Sequence, residues 1–416
     1  MLASGAMRDA QRAGLPAQSL TPLGSLRRFA PAVRDVSILG VADPADHARL
    51  LDGFARLSAS AVLVSRSPAH VTVSTERGPI TLHVAAPEEA GSALVWHTGS
   101  QAHTSLLQTR AQRLGLTFTD GRLSNARGQA LPADTEARLY AHLDLPEIVP
   151  ELREGADELD AAETGTLPTL VSLSDIRGDL HMHSTWSDGR DSIDQMVFAA
   201  VQLGYEYVAI TDHSERSLAS RQLVGDDIPR QRREIEKVRA RAKRIEVLHG
   251  VEVDIMPDGS LDFDDEQLAG FDIVLASLHD HAGHDGLLLT ERYLRAMQHP
   301  MVNVITHPAN RTPARSYGYP LDFDLLFAAA AETGTALEID GAPGHLDLDG
   351  ALARRAAEAG ATLVIDSDCH RSDALGRQMR FGIGTARRGW IEPAHVLNTR
   401  RVDDVRAFVA RKRDRG

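Results

Sequence analysis

The sequence predicts an α/β protein in which a distorted barrel of seven β/α units follows a small α+β domain. Three observations lead there. From Asp175 onward, short apolar runs alternate with helical patterns about seven times. Nearly all of those runs end in His, Asp or Glu, the placement seen when functional residues gather at the carboxyl ends of barrel strands. Before Leu145 the strands are mixed with fewer helices, as in a compact α+β unit. The chain of 416 residues, 43% hydrophobic and 25% charged, is long enough for both domains.

Residues 1–20 are rich in Ala, Gly and Arg without a strong period, and read as a flexible tail or a lone helix. In the domain at 21–154, strands are predicted at Val36–Leu39, Ala61–Val64, Val71–Val73 and Ile80–Val84, with helices at Asp46–Leu57 and Glu89–Trp96. Residues 155–174 are acidic and small, carry Pro168, and read as a linker. The barrel occupies 175–416. Its predicted strands are Leu180–His183, Tyr207–Thr211, Glu246–His249, Ile273–Leu278, Val302–Thr306, Ala336–Ile339 and Thr362–Asp366. Helical runs lie between them, at Ile193–Leu203, Pro229–Arg244, Glu291–Gln298, Leu325–Thr333 and Leu352–Ala359.

No apolar run approaches the roughly 18 residues that span a bilayer. The start lacks a basic segment followed by an apolar core, so no signal peptide is expected. A single cysteine, Cys369, rules out an intrachain disulfide and fits a cytoplasmic protein. The net charge of −13 disfavours a nonspecific coat on nucleic acid, yet leaves room for a nuclease, because bound cations reverse the local sign of a carboxylate-rich site.

The strand ends carry the chemistry. His181 and His183 alternate, so on a strand both imidazoles face one side. Asp188 follows in the next loop. Asp212 and His213 close the second strand, Glu252 follows the third, His279 the fourth and His307 the fifth. Asp368, Cys369 and His370 follow the last. Histidine with carboxylate suits Zn, Mn or Fe, and the absence of thiolate ligands disfavours a closed structural zinc site. Nine such ligands, His181, His183, Asp188, His213, Glu252, His279, His307, Asp368 and His370, are enough for three divalent ions with open positions. Such a cluster deprotonates a bridging water and clamps phosphate oxygens, which suits phosphoester hydrolysis without a nucleophilic side chain. His249, His281, His284, His299 and His345 read as solvated or packing residues, Asp212 and Asp366 as residues orienting ligands, and Cys369 as packing. Arg221 and Arg311 are candidates for substrate phosphate. The run Arg230–Arg244 mixes charge signs and reads as a solvated helix face.

Two resemblances refine this picture. The nine-residue set resembles that of the polymerase and histidinol phosphatase (PHP) domain. This resemblance implies a TIM-like PHP barrel in which His181, His183, Glu252 and Asp368 hold one Mn2+ or Zn2+ ion. Glu252 would bridge to a second ion held with His279 and His307, and Asp188, His213 and His370 would hold a third. The first domain carries three motifs, at Leu23–Arg28, Trp96–Ser100 and Leu145–Glu154, through which it resembles the palm and thumb of bacterial family X DNA polymerases. Leu23-Gly24-Ser25-Leu26-Arg27-Arg28 resembles their nucleotidyltransferase signature, in which a Gly-Ser loop and arginines receive the triphosphate. Trp96-His97-Thr98-Gly99-Ser100 is similar to their Tyr-Phe-Thr-Gly-Ser segment, and Leu145–Glu154 is similar to the end of their thumb. The resemblance begins inside that architecture, without the helix-hairpin-helix regions that grip DNA.

The palm departs from the family where ions would bind. The Asp-x-Asp pair is Asp35-Val36-Ser37 here, and the third Asp position is Thr81. One carboxylate does not hold two divalent cations. The combined resemblance therefore implies a 3′–5′ exonuclease acting on DNA 3′ ends, with possible 3′-phosphatase or abasic-site activity in repair, and with polymerase activity lost. The alternatives are a small-molecule phosphomonoesterase of the histidinol-phosphatase kind and a noncatalytic protein binding DNA ends.

Overall fold

A computed structural model describes residues 2–33, 35–57 and 61–414 of the chain; Met1 of the predicted tail and the last two residues of the predicted barrel lie outside them. Two compact units are present, Met1–Leu167 and Pro168–Gly416.

The first unit is built on a five-stranded sheet: β1 (Ser19–Pro22), β2 (Val36–Val41), β3 (Val62–Arg66), β4 (His70–Thr75) and β5 (Gly78–Ala85). The strands lie in the order β1-β2-β5-β4-β3, and β2 runs parallel to β5 while the other neighbours are antiparallel. A hairpin, β6 (Thr117–Thr119) and β7 (Arg122–Ser124), stands apart. The helix His47–Ala55 buries Leu50, Leu51 and Phe54 against Ile38, Val71, Val73, Ile80 and Leu82. Of the two readings of residues 1–20, flexible tail or lone helix, the structure has a helix. Leu2–Arg12 is a helix whose Ala3 and Ala10 join that same core, because small residues at that spacing let it lie close to the sheet. The predicted linker likewise contains a helix, Glu158–Thr164. Its acidic composition reads as solvent-loving, but the Glu158 carboxylate is occupied: it accepts from the Gly155 and Ala156 backbone N–H groups and lies 2.8 Å from His103 Nδ1.

The second unit is a seven-stranded all-parallel sheet: β8 (Gly178–Asp179), β9 (Tyr207–Ile210), β10 (Glu246–Asp254), β11 (Ile273–Ser277), β12 (Val304–Ile305), β13 (Ala336–Asp340) and β14 (Leu363–Asp366). Strands neighbour in sequence order, each pair separated by a helical crossover. A parallel bridge between Met182 and Cys369 draws the two edges together. Asn398 fills the seam: its side-chain amide donates to the carbonyls of Gly178 and Ile365, and its side-chain oxygen accepts from the Ile365 N–H. Those groups would otherwise need an eighth strand.

Alternation along the strands sorts the barrel into two cores. One side, including Val208, Ile210, Val274 and Ala276, packs on the helices. The other carries Tyr207, Ala209, Leu248, Ile273, Leu275, Val304 and Ala336, joined by Val405, Phe408 and Val409 of the helix Val402–Arg413. These inward residues sit early in their strands, so the last helix plugs the amino-terminal end. Further along the same rows come Glu252, Ser277, Glu338 and Asp366, all buried. The barrel therefore turns from apolar to ionisable toward its carboxyl-terminal mouth.

Candidate metal centre

The nine predicted ligands come together at that mouth. Glu252, on β10, is the hub. Its Oε2 lies 2.8 Å from His213 Nδ1, 3.3 Å from His181 Nε2 and 3.6 Å from His183 Nε2. Its Oε1 lies 3.1 Å from His307 Nε2 and 3.8 Å from His279 Nε2. Asp368 Oδ1 is 3.0 Å from His183 Nε2 and 3.6 Å from His181 Nε2. Asp188 Oδ1 is 3.2 Å from His370 Nε2 and 3.7 Å from His213 Nε2. His183 stacks against both His213 and His370, with ring centroids 4.3 Å apart in each case.

Within these nine residues, three groups able to hold an ion result: His181, His183 and Asp368; His183, Asp188, His213 and His370; and His213, Glu252 and His279. The grouping is more interleaved than the resemblance implies, since His213 reaches Glu252 as well as Asp188. The donor set fits divalent cations. Glu252 Oε2, Asp188 Oδ1 and His213 Nδ1 are buried without a hydrogen-bond partner. His213 and Glu252 are close but out of line for a hydrogen bond, so lone pairs converge where a cation would satisfy them.

Backbone geometry aims these groups. His307 and Asp368 adopt positive φ, at 27° and 47°, a conformation that costs a non-glycine residue energy and is retained where surrounding structure enforces it. In the loop after His183, a Cβ on Gly189 would come within 2.6 Å of the His183 carbonyl oxygen, so the chain can fold back over the histidine only through glycine. Asp212 does orient the loop: it accepts from the backbone N–H and hydroxyl groups of Ser184 and Ser187 and from Gln231. Asp366 accepts from the Leu180 N–H across the seam.

The electrostatics follow from packing imidazoles among carboxylates. Burial opposes charge on His181, yet Glu338, Glu252 and Asp368 together outweigh it and hold the ring well above its ordinary pKa. Burial likewise opposes charge on His307, and Glu252 raises it to about 9. His370 is raised to about 9 against burial by Asp188 and Asp368. His183 goes the other way, down to about 3, through burial and the neighbouring His213 and His370. Glu252 and Asp368 are buried, but the surrounding histidines hold both well below the usual carboxylate range. Positive charge is thus favoured on His181, His307 and His370 by the same carboxylates whose charge divalent ions would offset.

The sequence reading passed over Glu338. Its Oε1 accepts from His181 Nδ1 at 2.6 Å and its Oε2 from the His307 N–H at 2.7 Å, so one carboxylate positions two ligands. The signal was present: Ala336-Leu337-Glu338-Ile339-Asp340 is the sixth apolar strand of the barrel, with Glu338 and Asp340 on one face. Asp254 was also missed, and it lies 3.2 Å from His279 Nδ1. Of the residues read as solvated or packing, His249 packs in the interior against Gln231, His299 pairs with Asp265, and Cys369 is buried with its thiol donating to the Arg371 carbonyl. Arg221 is exposed and donates to the Thr185 carbonyl. Arg311 pairs with Asp349 at 2.9 Å. On the basic helix Ile228–Arg241, Arg230, Arg239 and Arg241 pair with Asp227, Asp272 and Asp194.

In the first unit, Ser37 on β2 lies directly beside Thr81 on β5, and Thr81 shares a 2.9 Å hydroxyl hydrogen bond with Thr72. Asp35 is exposed, one residue before β2. Arg27 makes a two-pronged ion pair with Glu136, at 2.7 and 2.5 Å, and Arg28 pairs with Glu154. The arginines that would receive a triphosphate are engaged with carboxylates of the chain itself.

Comparison with known proteins agrees with this geometry. The PHP domain matches residues 179–306, and the DNA polymerase beta thumb matches residues 93–154. Barrel, ligand cluster and domain match together define a phosphoesterase of the PHP class, a hydrolase of phosphate esters. The chain is 36% identical over 391 residues to the DNA polymerase/3′-5′ exonuclease PolX of Bacillus subtilis (strain 168), covering 93% of this chain and 68% of that protein. It belongs to that family, the bacterial family X polymerases with a PHP domain. A probable phosphatase of Shewanella sp. (strain ANA-3) is 38% identical over 139 residues, 31% of this chain and 53% of that protein. The crystal structure of a Lactococcus lactis histidinol phosphate phosphatase, complexed with zinc, L-histidinol and phosphate, superposes at a TM-score of 0.40 with 20% identity, covering 51% of this chain and 93% of that one, a likeness too low to carry an argument. Among the described residues no helix is long and apolar enough to cross a membrane.

Proposed function

We propose that the barrel is a metal-dependent 3′–5′ exonuclease that removes nucleotides from DNA 3′ ends, and that the first unit has lost nucleotidyl transfer. The observation that carries it is the cluster around Glu252, five of whose histidine neighbours lie within 3.8 Å. DNA is favoured over a small monoester because the likeness to PolX runs through both units, whereas that to the Shewanella phosphatase covers 31% of the chain.

His181, His183, Asp188, His213, Glu252, His279, His307, Asp368 and His370 would hold the ions, three in number and either Mn2+ or Zn2+, since six imidazoles with three carboxylates suit both. Bound divalent cations supply Lewis acidity toward a phosphodiester and bring the pKa of water toward neutrality. The chain's own residues do the rest. Glu338 fixes the ring of His181 and the backbone of His307; Asp212 and Gln231 hold the loop that presents Asp188. Burial of Glu252 and His181 excludes bulk water, so the charges there act in a low dielectric. Arg221, exposed beside Thr185, is the cation we assign to a substrate phosphate.

The test uses the full chain with Mn2+, a 5′-labelled oligonucleotide and a panel of phosphomonoesters. Laddering from the 3′ end is the expected result; turnover of monoesters alone would replace the nuclease reading by the phosphatase one. His183→Ala should abolish hydrolysis and Asp35→Ala should leave it unchanged. DNA bound without any hydrolysis would favour the noncatalytic alternative.

A further inference from the structure

Beside the nine residues lies a second knot of ligand types, on β13 and the loop after it. Asp340 is two residues beyond Glu338 and shares its inward row, so it faces the same mouth. It is wholly buried. Its Oδ1 accepts from the Ala342 N–H at 2.5 Å, and its Oδ2 has no partner. His345 stacks on His307 with ring centroids 5.0 Å apart, and its Nδ1 is also buried without a partner. One ligand atom each from Asp340, His345 and Asp368 lie within 4.8 Å of one another. Asp368 meets His181, His183 and His370 through Oδ1. A carboxylate has two oxygens and can serve two ions.

Two carboxylates facing each other away from water repel unless a proton or a cation lies between them. A shared proton would need no third donor, whereas here an imidazole lone pair converges on the same point. We propose that Asp340, His345 and Asp368 form an additional divalent-cation site that adjoins the nine-residue cluster and shares Asp368 with it. Two carboxylates and one imidazole suit Mn2+, and three protein ligands leave positions open to phosphate oxygens. This site rests on the nine residues being cation ligands and extends them by one ion that they do not hold.

The experiment measures Mn2+ per chain by mass spectrometry, after gel filtration of Mn2+-saturated full-length protein, for wild type, Asp340→Asn, His345→Ala and His183→Ala. Asp340→Asn keeps shape and an acceptor for the Ala342 N–H. One equivalent fewer in both Asp340→Asn and His345→Ala is the expected result, with His183→Ala depleting the neighbouring cluster instead. Wild-type content in both variants would overturn the additional site, as would loss of all Mn2+ in both, which would make them supports of the main cluster. A wild type that holds no Mn2+ would overturn the nine-residue assignment itself and this site with it. A measurement without substitution gives a second reading: anomalous scattering from wild-type crystals saturated with Mn2+ should show a peak among the three side chains, and an empty position there refutes the site.

Discussion

Glu338→Gln tests whether the cluster depends on the carboxylate beneath it. The side chain accepts from His181 Nδ1 at 2.6 Å and from the His307 N–H at 2.7 Å. Glutamine keeps the shape but replaces one acceptor by an NH2 group, so one of those donors faces another donor. Loss of such a supporting partner weakens metal affinity by roughly 10–100-fold, which is about 1.4–2.7 kcal/mol at 1.36 kcal/mol per decade. Because both donors are buried, leaving one unmade also costs about 1–3 kcal/mol of fold stability. Isothermal titration with Mn2+ reads the first effect, and urea unfolding of the metal-free protein reads the second. A Glu338→Gln protein whose Mn2+ affinity and unfolding midpoint both match wild type would refute the argument.

Further outcomes follow from the same structure. Glu136→Ala strips the partner from Arg153, which is fully buried, and should lower stability by about 3–5 kcal/mol, read as a shift of the denaturant midpoint; a shift near zero would mean the pair is dispensable. His83 and His97 are lowered to about 3 and about 4, first by burial and then by neighbouring histidines. Their folded-state values lie below the unfolded value near 6.5, so the stability they contribute is present above that pH and lost as the pH falls from about 6.5 to about 4 for His97 and about 3 for His83. His83→Leu should flatten that limb of a plot of Tm against pH, and an unaltered slope would count against it. Chelation by EDTA should lower the Tm, since a ligand held at about 100 times its Kd stabilises by roughly 2.7 kcal/mol; a melting curve indifferent to chelator and to added Mn2+ would remove the ions from the account.

The barrel was legible because its strands are near-continuous apolar runs, as strands covered on both faces must be, and because each hands over to an ionisable residue. All nine predicted ligands converge for that reason. Glu338 and Asp340 escaped because they lie within the apolar run of β13 itself, where a helix or strand pattern hides a carboxylate unless its inward parity is counted. The helix Glu158–Thr164 escaped for the opposite reason: its acids suggest solvent, and only the fold reveals that His103 and two backbone amides occupy Glu158. The Arg27–Glu136 pair, 109 residues apart in sequence, leaves no local trace at all.

That pair bears on whether the altered palm can be reversed. Aspartate placed at positions 37 and 81 would set two carboxylates on neighbouring strands, yet Arg27 and Arg28 would still be clasped to Glu136 and Glu154. Releasing Arg27 by removing Glu136 strands Arg153 in the interior. Two carboxylates alone would therefore not free those arginines for a triphosphate, and the substitution that frees Arg27 is one the fold resists.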